Sequence, residues 1–238
     1  MFQRIPVVTK NLIIINILLY FACEVFPAEW GYMLSGHYFE SEDFRGWQII
    51  THMFMHGSIP HLLFNMFGLF MFGSTLEIAW GPKRYLNYYL LCGLGAYGLH
   101  EFIQYIEIRK LMASLPADQV QYVIANGAKA LKEGLNYDIK ALADLNLMLN
   151  GSVVGASGCL FGLLLAFGVL FPNVEMMLIF LPIPIKARWF VLIYGGLEFV
   201  QALMNRQDDN VAHYAHLGGM LFGYIIIKIW QFQGKRLR

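Results

Sequence analysis

Apolar stretches of membrane-spanning length recur six times in this 238-residue chain, at about 11–26, 59–79, 85–106, 152–171, 188–204 and 211–231. A helix crosses a bilayer with roughly 17–25 predominantly apolar residues, and Gly, Pro or charge punctuates the sequence between these stretches. They are continuous runs rather than ten-residue alternations, which excludes a transmembrane β-barrel. Composition agrees, with 58% hydrophobic and only 14% charged residues and a mean hydropathy of +0.51, against roughly 25% charged in a soluble domain. The expected class is an all-α polytopic membrane protein, a single domain over 1–238 with the lipid bilayer as its surroundings.

The net charge of +1 gives no electrostatic case for nucleic acid. Cys23, Cys92 and Cys159 lie in or beside apolar stretches. An odd number without paired spacing argues for small hydrophobes rather than a disulfide framework. Arg4 and Lys10 precede the first stretch as in a signal peptide, but Cys23 to Ala28 offers no clean small-x-small cleavage site. The first stretch is therefore expected to be retained, and no organelle-targeting presequence is evident.

Threading six helices from a cytoplasmic N-terminus puts ten Lys and Arg inside and seven outside. Five of those outside (Arg109, Lys110, Lys129, Lys132 and Lys140) fall in one long loop, and Asp208-Asp209 occupies the last outer connection. In the short loops and tails the positive-inside bias favours cytoplasmic termini. The second, fourth and sixth stretches then all run inward from the outer face. Helix starts near Ser58, Gly151 and Asn210 put His61 and Asn65, Ser157, and His216 in one layer. Ser157 and His216 would each lie about one and a half turns in, roughly 8–9 Å below the helix start.

Four polar side chains suited to acyl transfer thus share a depth at which polar groups are costly unless partnered. Taken singly, a serine bonds its own helix, a histidine relays protons and an asparagine joins helices. Their coincidence on alternate helices is what points to catalysis. Gly158 and Gly162, and likewise Gly219 and Gly223, form two G-x-x-x-G faces that permit close helix approach. His216 shares a face with Gly219 and Gly223, so the same packing turns it towards Ser157. Phe161, one turn below Ser157, is placed to pack on the imidazole.

Gly155-Ala156-Ser157-Gly158, His61-x-x-x-Asn65 and Ala215-His216-x-x-Gly219 resemble the motifs of the rhomboid intramembrane serine proteases. The resemblance runs along almost the whole chain. It includes His52-x-x-x-His56, Glu77…Gly81-Pro82-Lys83-Arg84 and the six stretches themselves. It implies a six-helix rhomboid-like bundle, a Ser–His dyad without a third acid, and no cofactor or metal. Ser157 would be the nucleophile and His216 the general base, with His61, Asn65 and the Ser157 N–H as the oxyanion hole. Gly155, Gly158, Phe161, Gly219, Gly223, His52 and His56 would support the site. Implied substrates are single-pass transmembrane proteins whose helices unwind easily, with a small residue before the cut. The implied location is a bacterial inner membrane, with the site open to the outer face. Oligomeric state is not readable.

Three departures stand out. Phe161 replaces a frequent Tyr, Trp47-Gln48 stands where Trp-Arg is common, and the outer loop of about 107–150 is long. Runs 117–133 and 137–149 within that loop read as helices, either a solvated hairpin or a device shaping substrate access. His52 and His56 are expected to hold the first outer loop against the second helix through hydrogen bonds. As a zinc set with His61 they lack a nearby acid or thiol, and Gly57 and Pro60 break the helix between them. His37, His100 and His213 are expected to be structural or exposed, with His213 able to modulate charge near His216. Two rival classes remain: a client-binding relative without proteolysis, and a proton-coupled transporter relaying through His61, His216 and Glu198.

Overall fold

The structure, a computed structural model, describes residues 5–27, 29–178, 181–204 and 212–234. Each apolar stretch carries a helix. We number the longer helices α1 (Val7–Val25), α2 (Ile59–Trp80), α3 (Pro82–Ser114), α4 (Ala117–Lys132), α5 (Lys140–Asn150), α6 (Ser157–Leu170), α7 (Ala187–Met204) and α8 (His213–Phe232). By length and composition, α1 and α2 are apolar enough to cross a membrane, and α6 is a shorter apolar helix. Asp208, Asp209, Asn210 and Arg206, together with the charged terminal residues Arg4, Lys235, Arg236 and Arg238 used in the orientation argument, lie outside the described residues.

Polarity is arranged inside out relative to a water-soluble domain. Leu63, Phe64, Phe67 and Phe70 on α2 and Leu192, Ile193, Leu197 and Leu203 on α7 are exposed, whereas Thr9, Asn16, Glu77 and Glu198 are buried. Such a surface suits lipid, and the buried polar groups must then find partners within the protein. Glu77, near the end of α2, does so by accepting hydrogen bonds from Val8 N–H (2.9 Å), Thr9 N–H (2.7 Å) and Thr9 Oγ (2.8 Å). It caps the otherwise unpaired first turn of α1 and ties the two helices together. Ser58 caps α2, accepting from His61 N–H at 3.3 Å, with Pro60 tolerated in the first turn. A π-helical segment, Leu69–Gly73, interrupts α2.

α6 is buried along nearly its whole length and packs against α3 and α8, while α8 in turn lies along α3. The two glycine faces meet there as their spacing predicts. A Cβ on Gly219 would strike the Gly158 carbonyl, and one on Gly223 would strike the Tyr88 hydroxyl and come within 3.3 Å of Gly162 Cα. Cys92 and Cys159 sit in the surrounding core, as small hydrophobes do.

Two helix starts differ from the expectation. The fourth stretch turns helical only at Ser157, not near Gly151, because Ser152–Val153 forms a strand (β2) paired antiparallel with Gly36–His37 (β1) of the first outer loop. The last helix begins at His213, one turn before His216. The third helix also continues past 107. At 33 residues, or about 50 Å, it exceeds the roughly 30 Å hydrocarbon thickness, and its last turns support the outer hairpin.

That hairpin is α4 and α5, close to the expected runs, with its own apolar cluster of Ile108, Val120, Val123, Leu142, Leu145 and Leu149 closing on Tyr38. An ion pair from Lys132 to Asp43 at 2.8 Å joins it to the first outer loop, and a second, from Arg109 to Glu40 at 2.6 Å, ties the end of α3 to the same loop. Burial pushes the Asp43 carboxyl up, but the Lys132 ammonium and the hydrogen bond from Tyr32 outweigh it and hold Asp43 below the usual carboxylate range. The first outer loop is anchored from within by Gln48, whose amide donates to the Met33 carbonyl (3.1 Å) and the Asp43 carbonyl (3.0 Å). Gln48 Oε1 accepts from Arg45 N–H at 2.9 Å. An amide at this position thus satisfies three backbone groups without a charge.

Candidate active site

Ser157 is the first residue of α6, and what precedes it explains the orientation of its side chain. Gly155 has φ +129°, a conformation that side chains disfavour, and its N–H donates to the His52 carbonyl at 2.9 Å. A Cβ there would come within 2.9 Å of both Cε1 and Nε2 of His61 and 3.5 Å of Ser157 Oγ. The absent side chain of Gly155 is therefore what brings the His61 ring alongside Ser157. Because Ser157 opens the helix, its N–H has no carbonyl four residues back to bond and stays available to a ligand. The helix N-terminus adds a partial positive charge at the same place.

His216 completes the pair. Ser157 Oγ–H donates to His216 Nε2 at 2.9 Å. Phe161 stacks on the imidazole with centroids 4.1 Å apart and planes 13° apart, and Tyr194 stacks on the far side of Phe161 at 5.3 Å. The expected ring contact is present without the hydroxyl of a tyrosine. Asn65 is buried on the same side of α2 as His61, and its Nδ2 has no hydrogen-bond partner among the described residues. A small pocket beside Ser157 is lined by His52, Tyr97, His100, Gly155 and Ala212.

The supporting histidines act differently from expectation. His52 does not bridge to the second helix through its ring. Its Nδ1–H donates to the Gln48 carbonyl at 2.7 Å within its own short helix, its ring lies 4.6 Å from that of Tyr97, and its backbone carbonyl holds Gly155. His56 makes no side-chain hydrogen bond among the described residues and instead sets its ring edge-on to His61, centroids 5.2 Å apart. Packing rather than hydrogen bonding is therefore its link to the site. His37 Nδ1–H donates to the Ser35 carbonyl at 3.1 Å, and the Tyr97 hydroxyl donates to the His37 carbonyl at 2.6 Å.

Glu198 on α7, named in the sequence only as a relay group of the transporter reading, makes a contact that the resemblance does not imply. The resemblance implies no acid beside the histidine, yet Glu198 Oε2 accepts from His216 Nδ1–H at 2.8 Å and from His213 Nδ1–H at 2.7 Å. The signal was available, since an ionisable residue inside an apolar stretch requires a partner. What the sequence could not supply was the geometry, with the carboxylate behind the imidazole on the side away from Ser157. Ligand atoms of Glu198, His213 and His216 lie within 4.8 Å of one another, close enough for this set to hold a metal ion. It would have to displace both of those hydrogen bonds. His52, His56 and His61 do not converge as a metal-ligand group among the described residues.

Comparison with known proteins bears on this arrangement. The rhomboid domain family matches residues 43–231. The rhomboid protease AarA of Providencia stuartii is 26% identical over 229 residues, 92% of this chain and 70% of that protein. The putative rhomboid protease YdcA of Bacillus subtilis is 26% identical over 197 residues, 83% of this chain and 73% of its own. An uncharacterized mitochondrial rhomboid protein of Schizosaccharomyces pombe is 26% identical over 201 residues, 76% of this chain but 49% of its own length, so this chain spans about half of that relative. With the domain matched over most of its length, the chain belongs to the rhomboid family of helical integral membrane proteins.

Proposed function

We propose that this protein is an intramembrane serine endopeptidase that hydrolyses peptide bonds in or next to the transmembrane segments of single-pass proteins. The observation that carries this reading is the 2.9 Å contact between Ser157 Oγ and His216 Nε2. A serine hydroxyl is a weak nucleophile until an adjacent base takes its proton. Here His216 Nε2 accepts that proton as Oγ attacks the scissile carbonyl carbon. The resulting oxyanion is met by the Ser157 N–H and the side chains of His61 and Asn65, donors fixed before the charge develops. Collapse breaks the C–N bond, and His216 returns its proton to the departing amine. Water then adds to the acyl-enzyme with the same histidine as base. The relatives named rhomboid proteases support the assignment.

The rest of the reading follows from it. Six of the eight longer helices span the bilayer as one domain, with α4 and α5 forming an outer insertion. Both termini face the cytoplasm of a bacterial cell, and the site opens to the outer side. The substrate helix must unwind before cleavage, because a helical carbonyl is already hydrogen-bonded and shielded; segments with a small residue before the cut fit best.

A fluorophosphonate probe on purified protein, run beside cleavage of a single-pass substrate in proteoliposomes, tests the assignment. Wild type is labelled and cleaves; Ser157→Ala does neither while keeping its thermal unfolding profile. Labelling or transport activity that survives Ser157→Ala overturns it.

A further inference from the structure

We propose that Glu198 is the third member of this site, a positioning residue that holds His216 in the tautomer and orientation a general base needs. The inference rests on the reading of Ser157 and His216 as nucleophile and base. A neutral imidazole carries its proton on either nitrogen, and only the form with Nδ1–H leaves the Nε2 lone pair facing Ser157. An ionised carboxylate can only accept. The 2.8 Å contact from His216 Nδ1 to Glu198 Oε2 therefore selects the productive form. The stacked Phe161 ring prevents the imidazole from tilting but leaves it free to turn within its own plane. The contact with Glu198 removes that second freedom, so two perpendicular restraints fix one ring.

Among the described residues, the Glu198 carboxylate accepts hydrogen bonds from His216 and His213 alone. Its side chain is buried, the residue being 5% exposed, on a helix whose neighbouring face is apolar. A carboxylate in such surroundings is costly, and a simpler helix contact would be made by an apolar residue. His213 donates to the same oxygen from one turn earlier on α8 and fixes the carboxylate in turn. When Ser157 gives up its proton, His216 becomes an imidazolium with Nδ1–H still on the ring. Glu198 remains ionised, and the new charge pair forms within a low-dielectric interior. The proton goes no further than Nε2, as in triads where the acid orients and stabilises without being protonated.

The test compares wild type, Glu198→Gln, Glu198→Asp and Ser157→Ala in detergent or bicelles. It measures kcat and KM on a fluorogenic transmembrane peptide, and the rate and amplitude of fluorophosphonate labelling. Glu198→Gln should lower kcat and the labelling rate by about 10²–10⁴-fold, the range of general-base catalysis, with KM and labelling amplitude near wild type. Glu198→Asp, which keeps the charge on a shorter arm, should fall between. A merely structural carboxylate gives the opposite pattern: amplitude falls because fewer molecules fold, while those that fold react at the wild-type rate. That pattern, or an unchanged kcat, overturns the inference. Where Glu198→Gln does not remain folded, Glu198→Asp decides on the same readouts, a slower rate at full amplitude supporting and a wild-type rate overturning. Failure of the underlying reading is distinct: wild type is then unlabelled, or Ser157→Ala labels as well as wild type does.

Discussion

Where α6 meets α8, backbone lies on backbone: Gly219 faces the Gly158 carbonyl, and Gly223 approaches Gly162. In the outer hairpin of α4 and α5, branched side chains fill the space between helices, and an ion pair from Lys132 to Asp43 ties the unit to the first outer loop. The first kind of contact has no side chain able to move aside, so its geometry is fixed closely. The second can repack around a lost or added group. Catalysis needs the former, since reacting atoms must be held near 3 Å in a productive line, whereas a peripheral hairpin needs only to stay in place.

The sharpest break in that comparison comes from the glycine face. Gly219→Ala puts a methyl group into the Gly158 carbonyl, and overpacking that cannot relax through a rotamer costs about 1–3 kcal/mol or more. We expect a clear fall in the thermal unfolding temperature and near-complete loss of cleavage, because Ser157 and His216 ride on the two helices pushed apart. Wild-type activity in this variant would show that the contact tolerates movement. Gly155→Ala should follow closely: it combines a disfavoured φ with a clash against the His61 ring. We expect a loss of cleavage of about 10²-fold, the scale of one oxyanion-hole donor, with substrate KM less affected.

Phe161→Leu removes the stacked ring but keeps the apolar volume. A several-fold lower kcat is expected, read by the same peptide assay; an unchanged kcat would assign the restraint on His216 to Glu198 alone. In the hairpin, Leu145→Ala should cost about 2–4 kcal/mol of local stability. Amide exchange in α4 and α5 should quicken while cleavage stays within about threefold. A large loss of cleavage would mean that the hairpin governs the site through β2.

The smallest effect concerns Asp43. Its folded carboxyl titrates below the ordinary value of about 3.9, so the pair with Lys132 contributes fully above that pH and is lost as pH falls through the lower folded value. The contribution is under about 1 kcal/mol because Lys132 is half exposed. Asp43→Asn should therefore slightly raise proteolytic nicking of the hairpin at neutral pH and remove its acid dependence.

Much of this was legible beforehand for a common reason. Hydropathy and glycine spacing are local properties, so six helices, the Gly158/Gly162 and Gly219/Gly223 faces, and the turn of His216 towards Ser157 all follow from counting residues. The Ser58 cap and the two helices of the outer hairpin were likewise readable from turn and cap residues. The start of α6 was not, because Gly151 to Ala156 runs into the apolar stretch without a charge or proline, and hydropathy alone does not mark where the helix begins. Only pairing with Gly36–His37, more than a hundred residues earlier, draws Ser152–Val153 into a strand. Glu198 was visible as an ionisable group in an apolar stretch and as a relay companion of His216, but its place behind the imidazole, shared with His213, was not, since the sequence does not say which neighbour α7 will face.

The sequence by itself thus determined that this chain forms apolar helices and that a serine, two histidines and an asparagine could lie in one layer. Tertiary structure alone decided that Ser157 opens its helix, that the His61 ring lies against Gly155, and that His216 stands between Ser157 and Glu198. Helix formation depends on neighbours along the chain. The partner of a polar side chain depends on neighbours across it, and those exist only once the helices have packed.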